Sequence, residues 1–311
     1  MTTLQRDTSP VSAEEQQSLL GLFPEGTRLS SEGELTVGGV RVTELAERFG
    51  TPAYIIDEDS LVRRATVLRE ELAVRWPNSR VVFASKAFPA TPVYRTLAQA
   101  GLGADVAGGG ELVMALAAGV PASQIVVHGN GKTFEELRAA VDAGVGLIVI
   151  DNFDDIAKLE RIIVTGWQDV LIRVLPDVSA HTHEALETGR HGSKFGLGRA
   201  DAERAIALVR SSTRLRLRGL HMHIGSQICE VEPYVAAVEA LASYGQFDVY
   251  DLGGGLGARY SYDDTPPRWR SGSTLSSAQR RSTSPRTPRS SSSRVEVSSP
   301  GAASRCTAWC P

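Results

Sequence analysis

Hydrophobic residues recur in short runs from about residue 80 onward. Each run leads into a turn containing glycine or a polar residue, then into a stretch with apolar residues three and four positions apart. Continuous short runs are typical of strands buried on both faces, and the wider spacing is typical of helices. The pattern predicts strands at 81–87, 104–107, 124–128, 146–151, 169–175, 215–224 and 247–252. It predicts helices at 91–100, 111–118, 134–143, 154–164, 200–209 and 231–244.

The alternation of strands with helices predicts an α/β fold with a parallel sheet. A doubly wound open sheet is one interpretation, but seven evenly spaced strands favour a (β/α)₈ TIM barrel without its eighth strand. This barrel would occupy residues 51–266. Residues 1–50 form a separate segment, with a hairpin at 35–42 around Gly38-Gly39 and a helix at 43–49.

Residues 267–311 do not follow this pattern. From residue 268 onward they include 13 Ser, 8 Arg and repeated Pro. Such composition is typical of a disordered basic linker. A shifted reading frame is the alternative, since one codon choice for residues 292–296, TCG-AGC-CGG-GTC-GAG, encodes Glu-Pro-Gly-Arg when read from its third base.

Charge and composition narrow the function classes. The net charge of the chain is -3. Residues from 268 onward contribute +7 (8 Arg against 1 acid), and the rest of the chain contributes -10 (25 basic against 35 acidic residues). The negative charge of this larger part argues against nucleic-acid binding. No apolar run approaches the roughly 20 residues of a membrane span, and no secretory signal is visible at the first residues. Cys229 is the only cysteine up to residue 267, so we expect a cytoplasmic protein without a disulfide framework.

Lys86 ends an otherwise uncharged predicted strand. Lysine is rarely buried unless it is paired or reactive, and burial lowers its pKa toward the range that Schiff-base chemistry needs. Catalytic groups of TIM barrels lie at the carboxyl ends of strands. A lysine that extends from the strand end into solvent is an equally good interpretation.

A glycine-rich loop, Gly253-Gly254-Gly255, directly follows the seventh strand. Successive glycines let backbone N–H groups approach an anion, and barrels often bind phosphate after strands seven and eight. The loop also fits a dinucleotide-binding pattern, but that pattern should follow the first strand of its domain. We therefore predict a phosphate site rather than a plain turn.

His221 and His223 lie two positions apart and would share one face of a strand. A histidine pair can bind a metal, but no carboxylate or cysteine cluster stands beside it in the sequence, so we predict no metal site. A single interior histidine is more often a hydrogen-bonded core residue than a catalytic one.

Three further polar stretches follow predicted strands. Residues 105–111 and 128–132 could each be a tight turn that leads into a helix. A longer polar segment contains His181-Thr182-His183-Glu184 and Ser193-Lys194-Phe195-Gly196. Long loops in compact domains are usually functional or disordered.

Taken in order, these motifs resemble the alanine-racemase-fold, pyridoxal-phosphate-dependent decarboxylases over about residues 30–266. The combination of HTHE, SKFG and HIGSQI resembles the diaminopimelate decarboxylases in particular. The resemblance implies a cytoplasmic homodimeric lyase of lysine biosynthesis, which binds pyridoxal 5′-phosphate and decarboxylates meso-2,6-diaminopimelate to L-lysine. No nucleic acid or membrane partner is expected.

The resemblance also implies roles for single residues. Lys86 would hold the cofactor covalently, and His223 would stack on its ring. Both are therefore the expected catalytic residues, and Asp105 would contribute to cofactor binding. The phosphate would be bound by Ser226 and by Gly253, Gly254 and Gly255.

The chain departs from the family's pattern in its last part. The family's eighth strand carries Glu-Pro-Gly-Arg, and a C-terminal β-domain supplies substrate contacts; both are missing or scrambled here. We therefore expect impaired activity. Alternatives are another decarboxylase or racemase of this fold, a non-catalytic cofactor-binding protein, or a protein that binds acidic partners through its basic tail.

Overall fold

The structure is a computed structural model. It describes residues 19–176, 194–261 and 264, together with the backbone of residues 294–299. Residues 181–184 and 193, and most of the predicted tail, lie outside the described residues. Among the described residues, every helix falls short of the length and apolarity that a membrane crossing requires.

A small antiparallel sheet precedes the main domain. It consists of β1 (Arg28–Leu29), β2 (Leu35–Val37) and β3 (Val40–Arg41) in that order. Gly38 and Gly39 both have positive φ, so they form the turn between β2 and β3 without side-chain strain. Helix α1 (Val42–Phe49) follows directly. The predicted hairpin and helix are confirmed.

The main domain is a closed barrel of eight parallel strands. The strands are β4 (Ser79–Ala84), β5 (Gly103–Val106), β6 (Ile125–Val127), β7 (Leu147–Ile150), β8 (Gln168–Arg173), β9 (Leu215–His221), β10 (Val249–Asp251) and β11 (Arg294–Ser299). Around the barrel the order is β10-β11-β4-β5-β6-β7-β8-β9. The predicted barrel and all seven predicted strands are confirmed.

The helices cover the outside of the barrel. They are α2 (Glu58–Arg75), α3 (Thr91–Gln99), α4 (Gly109–Ala117), α5 (Phe134–Ala143), α6 (Phe153–Ile162), α7 (Arg199–Ser211) and α8 (Glu232–Ala242). The six predicted helices are confirmed. Helix α2 was missed, although its buried Leu61, Ala65 and Leu68 follow helical spacing, because charged residues fill the positions between them.

In most of the barrel strands before β11, alternate residues face two different cores. One set points into the barrel and forms a compact cluster of Val82, Val126, Leu147, Val149, Leu171 and Val249. The other set, which includes Phe83, Ile148 and Ile172, packs against the helices in the larger core. A strand buried on both faces needs apolar residues at every position, which explains the continuous runs in the sequence.

The eighth strand differs from our expectation. We predicted a barrel that lacks this strand, but β11 pairs in parallel with β10 on one side and with β4 on the other. In this register Glu296 lies opposite Asp251 and Arg80. The segment comes from the predicted tail, and Val295 and Val297 alternate with polar residues there in a strand-like pattern that the surrounding Ser and Arg obscured.

Gly219 should be essential to the β9–β10 contact. A Cβ at this position would lie 1.7 Å from the carbonyl oxygen of Val249. We expect Gly219→Ala to lower the free energy of unfolding by about 1–3 kcal/mol, because the two strands must move apart. Urea denaturation measures the change.

Gly110→Ala is the matched control, because no atom lies within 4 Å of a Cβ at this helical position. Alanine should leave the free energy of unfolding unchanged or raise it by up to about 1 kcal/mol. Equal destabilisation by both substitutions would contradict the close approach of β9 and β10.

Closure by β11 is testable through its backbone. Val297→Pro removes a backbone N–H from a strand with neighbours on both sides. We expect the free energy of unfolding to fall by about 1–3 kcal/mol. Ser276→Pro, outside the strand, is the control in the same urea titration. An unchanged midpoint for Val297→Pro would show that the barrel is stable without β11.

Candidate active site

The carboxyl ends of the barrel strands bring most of the chain's unusual polar residues to one rim. Lys86 lies just after β4, in a 3-10 turn at Ser85–Ala87. Asp105 is near the end of β5, His128 follows β6, and Asp251 ends β10. Because all strands run in parallel, residues distant in sequence meet at this edge.

His128, His221 and Asp251 form a buried cluster below the rim. The Nδ1 atom of His221 lies 3.1 Å from Oδ2 of Asp251, and Nε2 of His128 lies 3.5 Å from the same oxygen. The imidazole rings meet edge to face with centroids 4.6 Å apart. Oδ1 of Asp105 lies 3.8 Å from the same Nε2 atom of His128. One carboxylate is thus shared between two imidazoles.

The pKa shifts of Asp251, His221 and His128 indicate where the charge of the cluster lies. Burial alone would raise the pKa of Asp251, but His221 and His128 outweigh it and hold the pKa far below its ordinary value. Burial lowers the pKa of His221 to about 4, against the attraction of Asp251. Burial also acts to lower the pKa of His128, but Asp105 and Asp251 raise it overall. These shifts assign the negative charge to Asp251 and favour protonation of His128 over His221.

The same three residues have donor atoms within 4.8 Å of one another, close enough to share a metal ion. The sequence alone could not show a carboxylate near the histidine pair, because Asp251 reaches His221 from a strand 30 residues later. At 3.1 Å, Nδ1 of His221 and Oδ2 of Asp251 are within ion-pair distance, and neither atom has a hydrogen-bond partner among the described residues. The absence of a metal stays a prediction.

Lys86 is exposed, so of the two interpretations of this residue the structure favours the one in which the side chain extends from the strand end. The strand ends two residues earlier, at Ala84, and the 3-10 turn carries the side chain out to the rim. Within the described part of the chain its amine has no hydrogen bond or ion pair. Its positive charge acts on both Asp105 and His223. The amine is therefore available for a ligand.

His223 lies just beyond β9, beside the glycine loop. Its Nδ1 atom accepts a hydrogen bond of 3.4 Å from the N–H of Gly254, which leaves the ring proton on Nε2. Burial, with the charges of Lys86 and Arg173, lowers the pKa of His223 well below its ordinary value. His223 is therefore a neutral aromatic ring with a fixed tautomer.

The glycine loop lies against the segment that follows β9. Gly253 and Gly255 have φ of 65° and 102°, in the left-handed region that favours glycine. A Cβ would lie 2.4 Å from the carbonyl oxygen of Met222 at Gly253 and 1.9 Å from that of Gly225 at Gly255. Ser226 borders the same contact, with its Cα 3.4 Å from a Cβ at Gly255. The loop can keep this shape only with glycine at both positions.

The structure also places Arg173 and Asp151 at this rim, which the sequence analysis missed. Arg173 is buried, with its Nη1 atom 3.3 Å from Oδ1 of Asp151 and its guanidinium 4.7 Å from the centre of the Phe195 ring. Asp151 also accepts a hydrogen bond from the N–H of Gly196. The sequence signal that could have identified Arg173 was a charged residue at the end of an apolar strand. The pair attaches the SKFG segment to the barrel.

Lys132 has a structural role instead. Its amine is buried, lies 2.8 Å from Oδ2 of Asp155 and donates to the carbonyl oxygens of Gly129 and Val149. All its donors are engaged below the loop that follows β6. The expectation of a tight turn into a helix is confirmed at this loop, since Thr133 caps α5.

A family model described as "Pyridoxal-dependent decarboxylase, pyridoxal binding domain" matches residues 58–283. Two curated relatives bear the name diaminopimelate decarboxylase. The one from Actinosynnema pretiosum subsp. auranticum is 47% identical over 247 residues, which cover 77% of this chain and 55% of the relative. The one from Bacillus subtilis is 42% identical over 259 residues, which cover 79% of this chain and 59% of the relative. The chain thus spans somewhat more than half the length of these relatives.

Solved structures show the same architecture. Diaminopimelate decarboxylase from M. jannaschii, in complex with L-lysine, superposes with a TM-score of 0.79 at 25% identity, covering 90% of this chain and 67% of that one. A protein from Aquifex aeolicus superposes with a TM-score of 0.76 at 27% identity, covering 92% of this chain and 66% of that one.

The buried cluster predicts an acid-side loss of stability. His221 takes up its proton near pH 6.5 in the unfolded chain but only near about 4 when folded. The free energy of unfolding should therefore fall as the pH decreases through this window. His221→Asn should flatten the profile by up to about 1.4 kcal/mol per pH unit, measured by urea denaturation at several pH values.

His128→Asn is the matched control, because the shift has the opposite sign. The folded-state pKa of His128 is raised, so its stabilisation is present below pH 6.5 and is lost as the pH rises through the folded-state pKa. This substitution should flatten the alkaline side of the profile. Parallel profiles for the wild type and both variants would contradict the assigned protonation states.

Proposed function

The chain belongs to the pyridoxal-dependent decarboxylase family, and we propose that it acts with pyridoxal 5′-phosphate in the decarboxylation of meso-2,6-diaminopimelate to L-lysine. The observation that carries the proposal is the meeting of an available amine, a neutral imidazole and a glycine loop at one rim of the barrel. Relatives of 47% and 42% identity bear the name of this activity. A structural neighbour of that name binds L-lysine.

The residues at the rim fit the cofactor. Lys86 offers an amine without a competing partner among the described residues, as covalent attachment to an aldehyde requires. The loop at 253–255 has the left-handed glycines and close backbone contacts of a cradle in which a side chain would not fit. Backbone N–H groups in such a loop suit a phosphate dianion. Ser226 borders the cradle and would add a hydroxyl donor.

The cofactor, when bound, supplies an electron sink for the electrons released as carbon dioxide leaves. The chain's residues bind and orient it. Lys86 anchors one end and the glycine loop the other, while the neutral ring of His223 offers a flat surface between them. The hydrogen bond from Gly254 to Nδ1 fixes the orientation of that ring.

Asp105 and Asp251 provide two acidic groups whose pKa values are shifted in opposite directions. Burial raises the pKa of Asp105, so this carboxyl holds a proton more readily than an exposed aspartate. Asp251 stays ionised between its two imidazoles. We propose that Asp105 contacts the cofactor from below, and that Asp251 holds His128 and His221 in place rather than reacting itself.

The substrate and the assembly are further parts of the proposal. Diaminopimelate is favoured over other amino acids by the names of the curated relatives and by the HTHE, SKFG and HIGSQI motifs. A homodimer and a cytoplasmic location follow from the same resemblance, and the single cysteine up to residue 267 supports the location. Sedimentation velocity of the purified chain tests the dimer.

Covalent labelling tests the cofactor site. We expect borohydride reduction in the presence of pyridoxal 5′-phosphate to label Lys86, because its amine is exposed and lies beside the cradle. Peptide mass spectrometry locates the label among the chain's four lysines. Lys86→Ala should abolish it. Lys194→Ala, at an exposed lysine that contacts Phe195, is the control and should preserve it.

Release of carbon dioxide from meso-diaminopimelate tests the reaction itself. Any turnover by the wild type should be lost in Lys86→Ala and kept in Lys194→Ala. Labelling of other lysines while Lys86 stays unmodified would refute the cofactor site. Labelling at Lys86, with release of carbon dioxide from L-ornithine but not from diaminopimelate, would refute the substrate alone.

A further inference from the structure

The glycine loop is held by two side chains outside the glycines themselves. We propose that Gln227 and Tyr234 are positioning residues that brace the loop, so that the N–H of Gly255 is presented to the cofactor phosphate. This inference rests on the cofactor site proposed above and assigns to two further residues the task of shaping it.

Tyr234, on α8, fixes the peptide between Gly254 and Gly255. Its hydroxyl donates a hydrogen bond of 2.9 Å to the carbonyl oxygen of Gly254. A trans peptide is planar, with its C=O and N–H pointing in opposite directions. Holding the carbonyl toward α8 therefore directs the N–H of Gly255 away from α8. Among the described residues this N–H makes no hydrogen bond, so it is available for an anion.

Gln227 holds the loop farther along. Its side-chain amide accepts a hydrogen bond of 2.9 Å from the N–H of Ala258 and donates one to the carbonyl oxygen of the same residue. Both polar groups of Ala258 are thus paired with one side chain. The side-chain amide thus pairs with the backbone of Ala258 as the backbone of a neighbouring strand would.

The backbone of Gln227 is strained in this position. Its φ is 57°, and it is the one non-glycine residue with positive φ in the described part of the chain. A bulky side chain in the left-handed region persists only where the surrounding structure compensates for the strain. The two bonds to Ala258 provide that compensation.

Ile228 completes the connection between the two segments. Its N–H donates to the carbonyl oxygen of Gly255, and its own carbonyl oxygen accepts from the N–H of Gly257, both at 2.8 Å. Ile228 and Leu256 form an isolated parallel bridge. These hydrogen bonds hold the two segments together. Loss of the side-chain hydrogen bonds of Tyr234 or Gln227 should therefore change the position of the N–H of Gly255.

The test compares two ligands that differ only in the phosphate. We expect Tyr234→Phe to weaken binding of pyridoxal 5′-phosphate by about fivefold to tenfold while binding of pyridoxal stays unchanged. The ratio of the two dissociation constants, from absorbance titrations, reports on the phosphate site alone. A general loss of structure would weaken both ligands by the same factor.

Tyr250→Phe is the matched control. The Tyr250 hydroxyl also donates a 2.9 Å hydrogen bond to a glycine carbonyl, but its acceptor, Gly245, precedes β10, whereas the glycine loop follows it. The ratio should not change in this variant. Gln227→Met, which keeps the length of the side chain and removes both bonds to Ala258, provides a second test and should lower the preference for the phosphate ester like Tyr234→Phe.

The outcomes separate the two proposals. A wild type that prefers pyridoxal 5′-phosphate, with the same preference in Tyr234→Phe and Gln227→Met, would overturn the brace and leave the cofactor site intact. A wild type that binds both ligands equally would overturn both proposals. Loss of preference in the two loop variants but not in Tyr250→Phe is the expected result.

Discussion

Closure of a parallel hydrogen-bonded barrel is the constraint on which the rest of this molecule depends. Each strand runs in the same direction, so every strand delivers its last residue to the same rim. The closure tolerates no side chain at several points: a Cβ at Gly103, Gly146 or Gly219 would lie within 2.3 Å of a backbone oxygen. Because the ladder is continuous, His128 and Asp251 meet, although 123 positions separate them in the sequence.

The barrel also makes a buried charge tolerable. An ionised carboxylate in an apolar interior is unfavourable unless it is paired and hydrogen-bonded. Asp251 has both kinds of support, from His221 and His128 and from the N–H of Gly253 at 2.9 Å. The last of these joins the charge cluster to the glycine loop. The same carboxylate thus stabilises the barrel interior and the start of the cradle above it.

The candidate site therefore combines a glycine loop that is held by several contacts with an exposed lysine amine. The cradle is held by hydrogen bonds to Tyr234 and Gln227 and by close backbone contacts at Gly253 and Gly255. Lys86 lies across from it on a short exposed turn without a partner among the described residues. We propose that close backbone contacts around the glycine loop and an exposed amine together suit a cofactor that carries both a phosphate ester and an aldehyde.

Much of the fold could be predicted from local pattern, since a buried strand must be apolar at every position and a surface helix must repeat every three to four residues. Lys86, His223 and the glycine loop could also be proposed as candidates, because a charge at the end of an apolar run, two histidines on one strand face and three consecutive glycines are visible without any neighbours. Other features needed the tertiary structure. The pairing of Asp251 with His221 and His128, and of Arg173 with Asp151, joins residues from different strands, and no spacing along the chain encodes such contacts. The place of Arg294–Ser299 in the barrel is decided by the unpaired edges of β4 and β10, which supply the hydrogen bonds that local composition does not reveal.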